Sequence, residues 1–200
     1  LRYPLTGEIS GPVVELLSGY NMVSIPRDTN GANMDSSTAF GNTQTYKWVS
    51  TGLTGSANKG SYVLVDSNNP VKPGEGYFTM KGDGITTLPE HGTYADTLSP
   101  TYEITLKPGW NMVSNPYGGN VMLSAVQVQK GSGAAVSWTD ATASGYVVNA
   151  IYYYKGSDWG SAYTFESAGG SPDAILVPWF GYWVYLNKND DTYKLVITRP

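Results

Sequence analysis

Cysteine is absent from the 200 residues. Its absence excludes a disulfide framework, thiol catalysis, cysteine-ligated zinc and covalently attached c-type haem. Charge is also scarce: 14% of residues are charged, against roughly 25% in ordinary globular domains. Ser, Thr, Asn and Gly must therefore carry most of the solvent contact, and a neutral surface of that kind points outside the cell. The 12 basic residues are scattered and the net charge is −4. A nucleic-acid partner, which needs clustered Lys and Arg, is not expected. No apolar run approaches the roughly 20 residues of a membrane span, and no signal peptide is visible. The chain opens on Leu1 rather than Met, the start expected of a processed product or of a piece of something longer. Secretion or surface display is the expected localisation.

Aromatic rings are abundant instead, with 16 Tyr and 6 Trp. The 24 Gly and 12 Pro interrupt the chain too often for long helices. The best helical candidate is 33–40, and 120–129 reads as a helical turn or a strand. Runs rich in Tyr, Trp, Val, Ile and Thr between turn residues read as strands. They fall at 13–17, 20–25, 43–49, 62–65, 76–81 and 85–88. A second set falls at 102–106, 110–115, 147–154, 163–166, 181–186 and 193–198. The segments 81–84 and 187–191 are expected to form tight hairpin turns.

Gly19-Tyr20-Asn21-Met22-Val23-Ser24-Ile25-Pro26 returns as Gly109-Trp110-Asn111-Met112-Val113-Ser114-Asn115-Pro116. Gly76-Tyr77-Phe78 returns as Gly181-Tyr182-Trp183. The first pair is 90 residues apart and the second 105, so the second half carries extra residues between its landmarks. This pattern predicts an all-β chain of two tandem homologous repeats, each sandwich-like or barrel-like, with little helix. Unit 1 is expected over 1–90, a linker over 91–101, and unit 2 over 102–200. A Gly/Ser-rich surface loop or hairpin inserted near 130–145 accounts for the excess.

These motifs resemble the "GWNLISLP" repeat of exported bacterial and archaeal surface proteins. Gly109–Pro116, Tyr152–Trp159 and Gly181–Val184 carry the likeness. The first half departs from it with Tyr20 and Phe78 where the pattern has Trp. The resemblance implies a β-rich extracellular accessory module, found beside adhesion, surface-layer or polysaccharide-acting modules. It supplies no catalytic residues.

Tyr20 and Trp110 of the repeated Gly-aromatic-Asn motif could stack a sugar, but the motif reads first as structural, with both rings anchoring a core and Asn21 and Asn111 bonding nearby backbone. Strand alternation sets Tyr152 and Tyr154 against Tyr153, and Tyr182 and Val184 against Trp183 and Tyr185. Rings on both faces require either two covered faces or one that binds. Tyr and Trp suit carbohydrate stacking and protein interfaces alike. Trp138, Trp159, Tyr154, Tyr163 and Trp179 are the candidate ligand-binding residues, with Trp138 and Trp159 the expected exposed platforms.

Asp66, Asn68, Asp190 and Asp191 offer oxygen ligands of the kind calcium takes, and are equally what turns use for backbone reasons. No other cofactor is indicated. The single histidine, His91, sits in the linker with neither a nucleophile elbow nor a phosphate loop to serve. Glu15, Glu75, Glu103 and Glu166 are the glutamates in strand-like segments, and a glycoside hydrolase would need two of them to converge. The expected function is a non-enzymatic structural or adhesive subunit contacting other subunits or cell-surface proteins, in a filament or envelope layer. A carbohydrate-binding module for polysaccharide is the alternative, and a hydrolase the remote one.

Overall fold

The computed structural model describes residues 16, 19–26, 34–41, 44–54, 57–81, 99–155, 158–159 and 174–200; residues 53–54, 57–58, 155 and 158–159 are described by backbone alone. The chain is all-β, and every paired strand runs antiparallel. The first half contributes β1 (Gly19–Ser24), β2 (Thr45–Thr54), β3 (Ala57–Leu64) and β4 (Gly76–Lys81). The second contributes β5 (Thr101–Leu106), β6 (Gly109–Ser114), β7 (Val121–Met122), β8 (Val126–Lys130) and β9 (Val136–Ser137). Then come β10 (Tyr154–Lys155), β11 (Asp158–Trp159), β12 (Ile175–Leu176), β13 (Gly181–Leu186) and β14 (Tyr193–Thr198). A six-stranded sheet runs β11-β10-β1-β4-β2-β3, and a four-stranded one β5-β14-β8-β9, beside the pairs β13-β6 and β12-β7.

Two short helices interrupt the strands. In α1 (Ser36–Phe40), Asp35 accepts the Thr38 N–H at 2.8 Å and Gly41 closes the helix at φ 65°. These are a side-chain N-cap and a left-handed C-cap. In α2 (Trp138–Ala143), Ser137 plays the N-cap, accepting from the Asp140 N–H. Of the two readings of 130–145, the hairpin fits its start, where β9 returns antiparallel to β8, and the surface loop is corrected. The segment forms β9 and α2, and its Trp138 and Ala141 belong to the core.

The two copies of the repeated text pair in one register. Ser24 faces Gly76 and Met22 faces Phe78; Ser114 faces Gly181 and Met112 faces Trp183. The strand pairs also meet reciprocally, through bridges Val23 to Phe180 and Val113 to Glu75. A Cβ on Gly76 would lie 2.9 Å from the Val113 carbonyl, and one on Gly181 3.1 Å from the Val23 carbonyl. Each glycine thus admits the backbone of the other half, a contact that any side chain would obstruct.

Each pair buries one face. Val23 and Tyr77 pack with Ile25, Phe40, Val65 and Val71. Val113, Tyr182, Val184 and Leu186 pack with the larger cluster around Trp138, Tyr193, Leu195 and Ile197. Strand β13 is buried along almost its whole length, unlike β14, which alternates. A strand buried on both sides needs a cover on its second face, and rings supply it.

Some strand expectations change. Residues 181–186 and 193–198 form strands as read, but 187–191 is not a hairpin turn, because β13 pairs with β6 and β14 with β5 and β8. Within 147–154 the backbone makes isolated bridges at Val147 and Tyr152, and a strand begins only at Tyr154. The expected strands at 85–88 and 163–166 and the turn after Lys81 lie outside the described residues, as does the whole of 13–17 except Leu16.

Candidate functional site

The face opposite the aliphatic core is aromatic in both halves. Alternation along β1, β4, β2 and β3 brings Met22, Phe78, Tyr46 and Leu64 into one cross-strand row, with Trp48 opposite Tyr62 and Tyr20 opposite Met80 beside it. In the second half the same parity aligns Trp183 with Met112 and Tyr185 with Trp110.

The two faces join. Trp183 stands edge-on to Trp48 with ring centroids 5.8 Å apart and contacts Phe78 at 6.3 Å. From Phe78 the contacts run to Tyr20, Tyr62 and Tyr154. From Trp183 they run to Trp110, and on to Tyr152 and Tyr185. Most are T-shaped, the arrangement the ring quadrupole favours, each adding about 0.5–1.5 kcal/mol beyond burial. Met22 and Met112 form the floor with Trp183, where the polarizable thioether fills space between rings. The Met22 sulfur accepts the Tyr154 N–H at 3.2 Å.

Two grooves open on this face. One, of about 520 Å³, is lined by Trp48, Tyr62, Trp110, Tyr152 and Trp183. The other, of about 450 Å³, is lined by Tyr20, Tyr46, Tyr62, Phe78 and Tyr154. Tyr62 is their shared wall, and it and Tyr20 are about half exposed. Among the described residues every lining residue is aromatic and none is charged. The indole N–H groups of Trp48 and Trp183 are buried without a hydrogen-bond acceptor.

Of the candidate ligand-binding residues whose side chains are described, Tyr154 alone lines this site. Trp138 is corrected. It is buried at the start of α2, with its indole N–H donating to Asn149 Oδ1 at 3.3 Å, and is a core residue rather than a platform. Trp179 is also corrected, being buried in the first half's core. The backbone of Trp159 pairs with Tyr154, and its side chain lies outside the described residues, as does Tyr163. The motif aromatics are not core anchors either: Tyr20 is exposed and Trp110 half-buried on the ring face. Asn21 and Asn111 do bond backbone, each donating to the carbonyl of the glycine two residues back.

The carboxylates are engaged in ordinary structure. Asp66 accepts from the N–H groups of Asn68 and Asn69 in a tight turn. Asp190 pairs with Lys130 at 2.7 Å and accepts from the Tyr193 hydroxyl, and Asp191 accepts from the Thr192 N–H. No group of three or more His, Cys, Asp or Glu forms among the described residues. Glu75 and Glu103 share a separate cleft of about 340 Å³. Glu75 is bound by Lys47 and the Tyr77 hydroxyl, and Glu103 by Lys194. Glu15 and Glu166 lie outside the described residues.

Sequence reading passed over Trp48, Tyr62 and Phe78 as site residues, and preferred a structural role to ligand stacking for Trp110, Tyr152 and Trp183. Their signal was matching parity in the Tyr46/Trp48 and Tyr62/Leu64 segments, which becomes meaningful only once strand order is known. No family model, curated protein or solved structure matches the chain. Among the described residues no helix is long and apolar enough to cross a membrane.

Proposed function

We propose that this chain is a non-enzymatic module of a secreted or surface-displayed protein, built from two copies of one β unit, and that it works by presenting its aromatic face to an adhesive or structural partner. The carrying observation is that rings from both halves form one face whose outer members, Tyr20 and Tyr62, stay about half exposed. Leaving large rings at the surface is costly unless they meet something, and contiguous exposed apolar surface marks interaction sites. The common register of the repeated strands supports duplication, and the low charge of the chain supports an extracellular setting.

The test is the double variant Tyr20→Ala/Tyr62→Ala. Sedimentation velocity across a wide concentration range and retention on isolated bacterial cell envelopes are compared with the parent chain. Self-association or retention by the parent, lost in a variant with an unchanged thermal melt, supports the reading. Neither activity in the parent, or activity untouched in the variant, removes it.

A further inference from the structure

We infer that the paired grooves bind a neutral polysaccharide, laid across Tyr62 so that successive sugar rings occupy the two sides. This rests on the reading of the aromatic face as the binding surface and names its ligand class.

Three observations carry it. Among the described residues, both grooves are lined by rings alone, without a charged side chain. That lining offers a charged ligand no counter-ion, whereas the flat C–H faces of a pyranose match aromatic faces. Tyr20, Tyr46, Tyr62, Tyr152 and Tyr154 among the lining residues carry phenols. A phenol both donates and accepts, as sugar hydroxyls do. Finally, each groove falls within the size range of a small-ligand site, and their common wall makes one extended site suited to a chain rather than a single sugar.

A proline-rich peptide is the other neutral ligand that seeks aromatic grooves. The phenols lining the grooves serve either ligand, so the two are set against each other by titration.

The experiment is affinity electrophoresis of the whole chain in gels containing hydroxyethyl cellulose, galactomannan or laminarin, with alginate as the charged control. A polyproline peptide is titrated separately by tryptophan fluorescence. At least one neutral polysaccharide should retard the parent. Tyr62→Ala should weaken that retardation about tenfold, roughly what one stacking contact is worth, and Tyr20→Ala should weaken it too. Tyr62→Phe should keep most of it, because the ring remains. Both alanine variants replace half-exposed rings, and an unchanged circular dichroism melt confirms that they fold. No retardation by any neutral polysaccharide, equal retardation of the alanine variants, or preference for alginate or polyproline overturns the inference. If retardation is absent while the double variant still loses self-association or envelope retention, the binding-face reading stands and the glycan assignment alone fails.

Discussion

Trp179 and Gly74 hold the same left-handed backbone conformation, with φ of 72° and 79°. Their carbonyls do equivalent work: that of Trp179 accepts the Ser24 N–H at 2.9 Å, and that of Gly74 accepts the Ser114 N–H at 2.8 Å. The positions are 105 residues apart, as are Gly76 and Gly181. One half uses glycine because Tyr102 and Ile104 cover the site; a Cβ there would lie 2.7 Å from Tyr102 Cε1. The other uses tryptophan, whose ring enters the core of the opposite half. Trp179 therefore accepts backbone strain of about 1–2 kcal/mol in return for deep burial.

That strain predicts an inverted order of stability. Trp179→Ala and Trp179→Gly should both destabilise, by about 3–5 kcal/mol, through the cavity left in the first-half core. The glycine variant should be the more stable of the two by about 1 kcal/mol, since it alone adopts positive φ freely. Denaturant unfolding of both checks this; an alanine variant as stable as the glycine variant would contradict it.

The crossing of the two strand pairs depends on Gly76 and Gly181. Gly76→Ala drives a Cβ to within 2.9 Å of the Val113 carbonyl, and Gly181→Ala to within 3.1 Å of the Val23 carbonyl. Each should cost about 1–3 kcal/mol by overpacking, with Gly76→Ala the worse. Thermal melts of the two variants should show that ranking.

Tyr77 should be silent in an alkaline titration. Burial, and then the Glu75 carboxylate beside it, push its phenol well above the ordinary 10.0. A raised folded value means that the stabilisation is complete below pH 10 and is lost as pH rises further, toward the folded-state value. Absorbance at 295 nm should show the Tyr77 phenol ionising only as the circular dichroism signal collapses. Ionisation of every tyrosine with the fold intact would refute this.

At the acid end the cap of α1 provides the probe. Hydrogen bonds from the Thr38 N–H and the Ser37 hydroxyl hold the Asp35 carboxyl below its ordinary 3.8. A lowered folded value gives stability present above pH 4 and lost as pH falls through the folded-state value. Asp35→Ala should cost about 1 kcal/mol at pH 7, and that difference should shrink toward pH 2. A pH-independent difference in melting would sink the capping account.

Trp138 separates structural from binding aromatics. Trp138→Ala should destabilise by about 3–5 kcal/mol while leaving any ligand affinity of the still-folded fraction unchanged. Gly60→Ala should touch both. A Cβ at Gly60 collides with the Trp48 indole lying over it and lies 2.8 Å from the Val49 carbonyl, so this variant should shift the groove, alter tryptophan emission and cost about 1–3 kcal/mol by overpacking.

Local pattern alone determined a good deal. Turn residues and β-branched or aromatic runs marked most of the described long strands, because strand propensity and alternation act over a few residues. The repeated Gly-aromatic-Asn-Met-Val-Ser text marked two strands with one register. Alternation also separated Tyr182 and Val184 from Trp183 and Tyr185, the division between aliphatic core and ring face. What it did not determine was which surface each ring meets. Trp138 looked exposed amid Gly and Ser, yet α2 turns it inward; Trp179 looked available, yet it enters the other half's core. Trp48 and Trp183 are 135 residues apart in sequence and 5.8 Å apart in space. Alternation fixes the side of a strand on which a residue lies, but strand order and the docking of one half on the other decide what covers that side. Those depend on contacts distant in sequence, and it is they that join the two aromatic faces into one.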